Sequence, residues 1–178
     1  MKKLSIIFCI CTLLLSNLLA GCGSKDAGTD VMSEGVMTYE EYMAAPLDSE
    51  VVIETYVQAK QSWWDDQATV YSQDKDGAYF LYNRACSEED YEKLVPGTKI
   101  KVTGYKSEWS GEVEVTDAVF EIEDGSYVAE AEDVTSLLGT DELIGHQNEF
   151  VAFKGMTVED SGDGAAFLYS WDGSGSDG

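Results

Sequence analysis

Between Glu50 and Ile122, apolar and polar residues alternate in five separate runs, and this period of two constrains the fold more than any other feature of the chain. Successive side chains of an extended strand point to opposite faces, so each run marks a strand with one face turned to a core. In the first, Val51, Ile53, Thr55, Val57 and Ala59 form the inward set. After Gln61-Ser62-Trp63-Trp64-Asp65-Asp66, the run Ala68–Ser72 resumes the alternation, and Asp74-Lys75-Asp76-Gly77 turns it into Ala78–Tyr82 as a hairpin. Ser87 then precedes Glu88, Glu89 and Asp90, a capping residue followed by acids where the helix dipole favours them, and predicts a short helix ending before Pro96-Gly97. Lys99–Tyr105 is the fourth strand, with Ile100 and Val102 inward. In the fifth, Glu112–Ile122, the apolar parity moves from Val113 and Val115 to Ala118, Phe120 and Ile122, which predicts a bulge near Asp117.

Strand, hairpin, helix and two further strands, with Pro96-Gly97-Thr98-Lys99-Ile100-Lys101-Val102-Thr103-Gly104-Tyr105 in the fourth-strand position, resembles the oligonucleotide/oligosaccharide-binding (OB) fold. The expected class is all-β with a short helix, as a five-stranded Greek-key barrel. A plain antiparallel sheet carrying one helix is the competing arrangement. The resemblance implies a ligand face on the second and third strands and in the loops after the first and fourth. There the chain has Trp63, Trp64, Tyr79, Tyr82, Tyr105 and Trp109, whose flat, stiff rings can stack on sugars or bases. Core packing is the competing role for each ring. The exception is the adjacent pair Trp63-Trp64, because neighbours point opposite ways and one must face outward.

The first 21 residues read as a targeting signal: Lys2 and Lys3 precede an apolar run from Leu4 to Ala20. Leu19-Ala20-Gly21-Cys22 resembles the lipobox of bacterial lipoproteins. That resemblance implies diacylglycerol and acyl (palmitate-type) attachment at Cys22, cleavage before it, and a lipid bilayer as partner at the extracytoplasmic face of the cell membrane. Two acyl chains suffice for stable anchoring at ~0.8 kcal/mol per buried methylene. A plain secretory signal or a retained span are the alternatives, the latter short against the ~20 apolar residues a span needs. Cys9 and Cys11 leave with the signal, so Cys86 has no partner for an internal disulfide.

Residues 22–36 read as a flexible tether, and Thr38 with Glu41 has capping-box spacing for a short helix leading into the barrel domain, 37–125. Removal of the signal takes away two lysines and no acid, turning the net charge of −23 into −25. Nucleic-acid affinity comes mostly from neutralising phosphates, so this balance weighs against the single-stranded nucleic-acid reading that accompanies the fold. Lys99, Lys101 and Lys106 are the only clustered cations and are expected to pair with nearby glutamates.

The chain also repeats itself. Glu50-Val51-Val52-Ile53 aligns with Glu149-Phe150-Val151-Ala152 at an offset of 99, and Ala68–Asp74 aligns with Ala166–Asp172 at 98. This predicts a linker with short helices over 126–147 and an incomplete second barrel over 148–178, either truncated or a real terminus whose hairpin docks elsewhere. No catalytic set stands out. His146 is the only histidine and has no nucleophile at a recognisable spacing, and Asp74–Gly77 and Asp160–Gly164 fit turns better than calcium loops. The expectation is a non-enzymatic binding module for a glycan, small ligand or protein, with no cofactor or metal. A surface enzyme using paired carboxylates is the third class.

Overall fold

The computed structural model describes residues 32–160 and 167–171. The signal, Cys22 and most of the tether lie outside these residues, as do parts of the second copy (161–166 and 172–178). The elements in order are α1 (Tyr39–Ala44), β1 (Glu50–Lys60), β2 (Gln67–Gln73), β3 (Ala78–Ala85), α2 (Glu88–Lys93), β4 (Thr98–Trp109) and β5 (Glu112–Ser126). The five strands close into a barrel in the order β1-β2-β3-β5-β4. Closure comes from parallel pairing of β3 with β5 at Phe80↔Glu114 and Leu81↔Val115, and from β1 lying antiparallel to β4. This is an OB-type barrel with its helix between β3 and β4, and the flat-sheet alternative fails because neither β3 nor β5 is left as a free edge.

The core is what the alternation requires. Val51, Ile53, Val57, Val70, Leu81, Ile100, Val102 and Val115 are fully buried. Three bulges then reset the parity. On β1, Val57 pairs with Ser72 but Ala59 with Tyr71, so Gln58 is the extra residue. The expected inward position of Ala59 is therefore corrected: the bulge turns it to the surface. On β5, Thr103 and Tyr105 pair with Val119 and Thr116, and Asp117 adopts φ +49°, the slip expected there. Gly104 faces this bulge, and a Cβ on it would lie 2.7 Å from Val115 and 2.9 Å from the Thr116 carbonyl oxygen. Beyond the bulge β5 outruns the barrel, so Ile122, expected inward, is 41% exposed at the rim. On β3, Asn83 is the bulge residue, held by the Thr69 hydroxyl, and the strand continues past Tyr82 to bring Arg84 inside.

Two helices cover the barrel ends. Thr38 and Glu41 form the capping box of α1, whose buried Tyr42 packs 5.0 Å from the Tyr79 ring. Tyr39 meets the same ring edge-on and lies over Gly77, where a Cβ would clash at 2.5 Å. Lys106 donates to the Met43 and Ala45 carbonyls at the end of α1. Its expected glutamate pairing is thus corrected: it satisfies orphan helix carbonyls instead. Lys99 does pair with Glu54 at 3.0 Å and with Glu123 at 3.6 Å. At the opposite end, Ser87 caps α2, Leu94 is fully buried, and Tyr91 takes Lys60 over its ring.

After β5 the chain folds back on the barrel. The Gln58 amide nitrogen donates to the Tyr56, Gln73 and Tyr127 carbonyls, while its oxygen accepts from the Ala129 N–H. Strands β6 (Glu132–Asp133) and β7 (Val151–Ala152) pair in parallel around two 3-10 turns, Thr135–Leu137 and Asp141–His146. Strands β8 (Met156–Asp160) and β9 (Phe167–Trp171) form an antiparallel hairpin. Its register, Met156↔Trp171, is one residue from that of Val57↔Ser72 under the repeat offset. Residues 151 and 152, aligned with the start of β1, instead pair with β6. Among the described residues no helix is long and apolar enough to cross a membrane.

Candidate functional site

The outer face of β2 and β3 carries a strip of rings, of which Tyr82 is half-exposed and Phe80, at 6%, is covered. Tyr71 and Phe80 are cross-strand partners with centroids 5.0 Å apart, and Phe80 lies 6.1 Å from Tyr82 on its own strand. Residues 80 and 82 share a face because they are two apart, whereas Tyr79 points the other way. Tyr79 is 1% exposed, and its hydroxyl donates to Asp74 at 3.1 Å. Its ligand-facing role is therefore corrected to a core plug beneath α1. Burial first, and then the Asp74 carboxylate, raise its hydroxyl far above the ordinary tyrosine range.

The remaining candidates do not form one cluster. Trp64 is 76% exposed on the tight turn between β1 and β2, where Asp65 and Asp66 both have positive φ and Trp64 pairs with Gln67. This is the type I′ geometry that matches strand twist, so Trp64 stands on a rigid corner. Trp63 turns back, and its Nε1–H donates to the Cys86 carbonyl at 2.8 Å. Tyr105 is half-exposed on β4, between Glu50 of β1 and Thr116 of β5 and away from β2 and β3. Trp109, 73% exposed, pairs with Glu112 at the β4–β5 turn. The register puts Glu112 level with Ala78 and the Trp64 turn beside Ala85, so the two exposed tryptophans flank opposite ends of β3. Seven residues along a strand is roughly 23 Å at ~3.3 Å per residue.

The linker completes a concave site beside Tyr71. The Phe150 N–H donates to the Gln73 side chain at 2.7 Å, the Gln147 side-chain Oε1 accepts from the Val113 N–H, and the Asn148 side-chain amide donates to the Val113 carbonyl. These bonds hold 147–150 against the barrel, leaving an open groove of about 300 Å³ lined by Gln58, Ala59, Tyr71, Asn148, Glu149 and Phe150. Two rings face a groove whose other walls offer amides and a carboxylate. A second groove of about 290 Å³, lined by Lys101, Thr103, Val119, Phe120, Glu121 and Glu123, is the more charged of the two.

Sequence reasoning missed Tyr71 and Phe150. The first was available from strand parity. Phe150 carried no local signal, because its place depends on the Gln58 bulge and the return of the linker.

The other singled-out groups have structural roles. Asp74 accepts from the Asp76 and Gly77 N–H groups, an Asx turn that closes the β2–β3 hairpin. Cys86 is buried, and that burial pushes its thiol above the ordinary range, as expected of an inert core cysteine. Four lysines of the barrel are committed internally, Lys60 to Tyr91, Lys93 to Glu89 and Asp90, Lys99 to Glu54, and Lys106 to α1, whereas Lys101 lines the second groove.

No family model and no curated protein matches the chain. Among solved structures, the chain is similar to the crystal structure of the p204 HINb domain at 11% identity, with a TM-score of 0.41 over 56% of each chain. It thus spans a little over half the length of that domain, and a likeness at this level carries nothing about a ligand.

Proposed function

We propose that this protein is a non-enzymatic binding module, tethered by lipid at Cys22 to the extracytoplasmic face of a membrane, that holds a neutral glycan against the Tyr71–Phe150 groove. The observation that carries the reading is the pairing of stacking rings with side-chain amides and a carboxylate along one concave wall. Sugar rings present apolar faces to aromatics and hydroxyls to such polar groups. Tyr82, 45% exposed, stands on the same outer face of β3 beyond the covered Phe80 and offers a second ring outside the groove. Polyanions fit poorly, since the nearby cations already neutralise the protein's own carboxylates and carbonyls and the groove has Glu149 in its wall.

The test is retention of the full chain on immobilised neutral cell-wall oligosaccharides. Retention should be nearly independent of salt and should weaken at least ~5-fold in Tyr71→Ala or Phe150→Ala, given roughly 1–3 kcal/mol per stacked ring. Undiminished retention in both variants removes the groove as the site. A gel shift with single-stranded DNA at low salt would instead establish the nucleic-acid alternative. The tether is tested separately by labelling cells with a palmitate analogue, which should mark the wild-type chain and not Cys22→Ala.

A further inference from the structure

Glu132, His146 and Glu149 come from three places after β5, namely β6, the end of the second 3-10 turn, and the residue before Phe150, yet one ligand atom of each lies within 4.8 Å of the others. His146 Nδ1 is 2.9 Å from Glu149 Oε2. The His146 and Glu149 side chains are 25% and 21% exposed, and Glu132 is open to water. We propose that these three side chains form a binding site for a divalent cation of the zinc class.

The donor set selects the metal. One imidazole nitrogen with two carboxylate oxygens suits a borderline ion, with water in the fourth position. Calcium and magnesium prefer more numerous, all-oxygen ligands. Tetrahedral bonds of ~2.0–2.1 Å place ligand atoms about 3.3 Å apart. The His146–Glu149 pair therefore opens by a few tenths of an ångström while Glu132 swings in from the solvent side. Neighbouring groups do not compete: Asp133 is already bound by Lys154 and by the Thr135 hydroxyl and N–H.

The surrounding architecture independently calls for a cross-link. Strands β6 and β7 are two residues long, and neither 3-10 turn contains a buried residue. Val134 and Ala129 are the buried hydrophobics of this region. A metal joining Glu132 to His146 and Glu149 would supply what so small a core does not. It would also fix Glu149 beside Phe150 and stiffen one wall of the groove; that consequence, unlike the site itself, rests on the glycan reading.

The experiment titrates the full chain with Co²⁺ as a spectroscopic stand-in and with Zn²⁺ by calorimetry, in the absence of glycan. The expected result is one ion per chain, visible d–d bands of a nitrogen- and oxygen-ligated Co²⁺ that excess Zn²⁺ abolishes, and no displacement by a large excess of Ca²⁺. His146→Ala, Glu132→Gln and Glu149→Gln should each weaken binding at least about tenfold, as loss of a ligand does. Unchanged affinity in all three variants, or ready displacement by Ca²⁺, would show diffuse attraction to an acidic surface and overturn the site. Because no glycan is present, failure here leaves the groove reading intact, and failure of glycan retention leaves the metal site intact.

Discussion

Arg84 should be replaceable by methionine with a gain in stability. The bulge at Asn83 turns it into the barrel, where it is fully buried and, among the described residues, none of its three guanidinium nitrogens has a hydrogen-bond partner. The Phe120 ring lies 3.6 Å from the guanidinium carbon, and Asp90 attracts the charge without bonding it. The neighbouring Asp90 is spent on the Ser87 hydroxyl and on Lys93. Burial pushes the guanidinium from 12.5 down to about 10. At ~1.36 kcal/mol per unit, that shift costs the charged form roughly 3 kcal/mol. A desolvated cation–π contact returns up to about 2 kcal/mol. Arg84→Met keeps the apolar stem against Phe120 and removes the buried charge, for a net gain of about 1 kcal/mol, or a Tm rise of roughly 2–4 °C in a chain of this size. The folded value is below the unfolded one, so the penalty is complete at neutral pH and relaxes only as pH rises above about 10. Urea unfolding of the two full-length chains at neutral pH reads this as a higher midpoint at equal slope. A variant less stable by about 1 kcal/mol or more would mean instead that the guanidinium is well satisfied in the fold.

Gly104→Ala should lower stability by ~1–3 kcal/mol in the same assay, because a Cβ there meets Val115, the Thr116 carbonyl and the Ala118 backbone at once; an unchanged midpoint would mean the β5 bulge yields freely. Glu54 is pushed up by burial, but hydrogen bonds from Ser33 and Lys99 outweigh this and hold it below the ordinary carboxylate value. Its folded value being depressed, it stabilises the fold above the ordinary carboxylate range, and that contribution disappears as pH falls through the folded value. Unfolding midpoints from pH 5 downward should therefore drop less steeply in Glu54→Gln, whereas Asp74 and Glu114, both raised mainly by burial, act in the opposite sense in both chains. Gln58→Ala should free the linker: amide exchange at Ala129 should accelerate at least tenfold for a lost bond worth ~1.5 kcal/mol or more, and equal protection would show that packing of Tyr127 on Tyr56 holds the linker alone.

Much of the fold was readable because strand parity is a local property. Val51, Ile53 and Val57, then Ile100 and Val102, announce their face without reference to anything distant, and the parity slip at Asp117 is visible in the residues themselves. The capping pairs Thr38–Glu41 and Ser87–Asp90 are equally local. Ala59 was misplaced because a bulge at Gln58 leaves no mark in the alternation before it. The site was less legible for a related reason. Tyr79 and Tyr82 are of opposite parity, and the same alternation places Tyr71 on the outer face with Tyr82. What alternation could not supply is the second wall. Phe150 reaches the barrel through contacts distant in sequence, 77 residues back to Gln73 and, by way of Gln147 and Asn148, 34 and 35 residues back to Val113. Lys106 illustrates the same limit, since its partners are carbonyls of a helix some sixty residues earlier.

Two grooves compete on the barrel surface, and nuclear magnetic resonance of the full chain during titration with neutral cell-wall oligosaccharides chooses between them. Binding in the Tyr71–Phe150 groove moves the amide shifts of Gln58, Tyr71, Asn148, Glu149 and Phe150 together, and the change extends to Tyr82. Shifts gathered at Lys101, Thr103, Val119 and Glu121, or at Tyr105, with the first group unmoved, would contradict it.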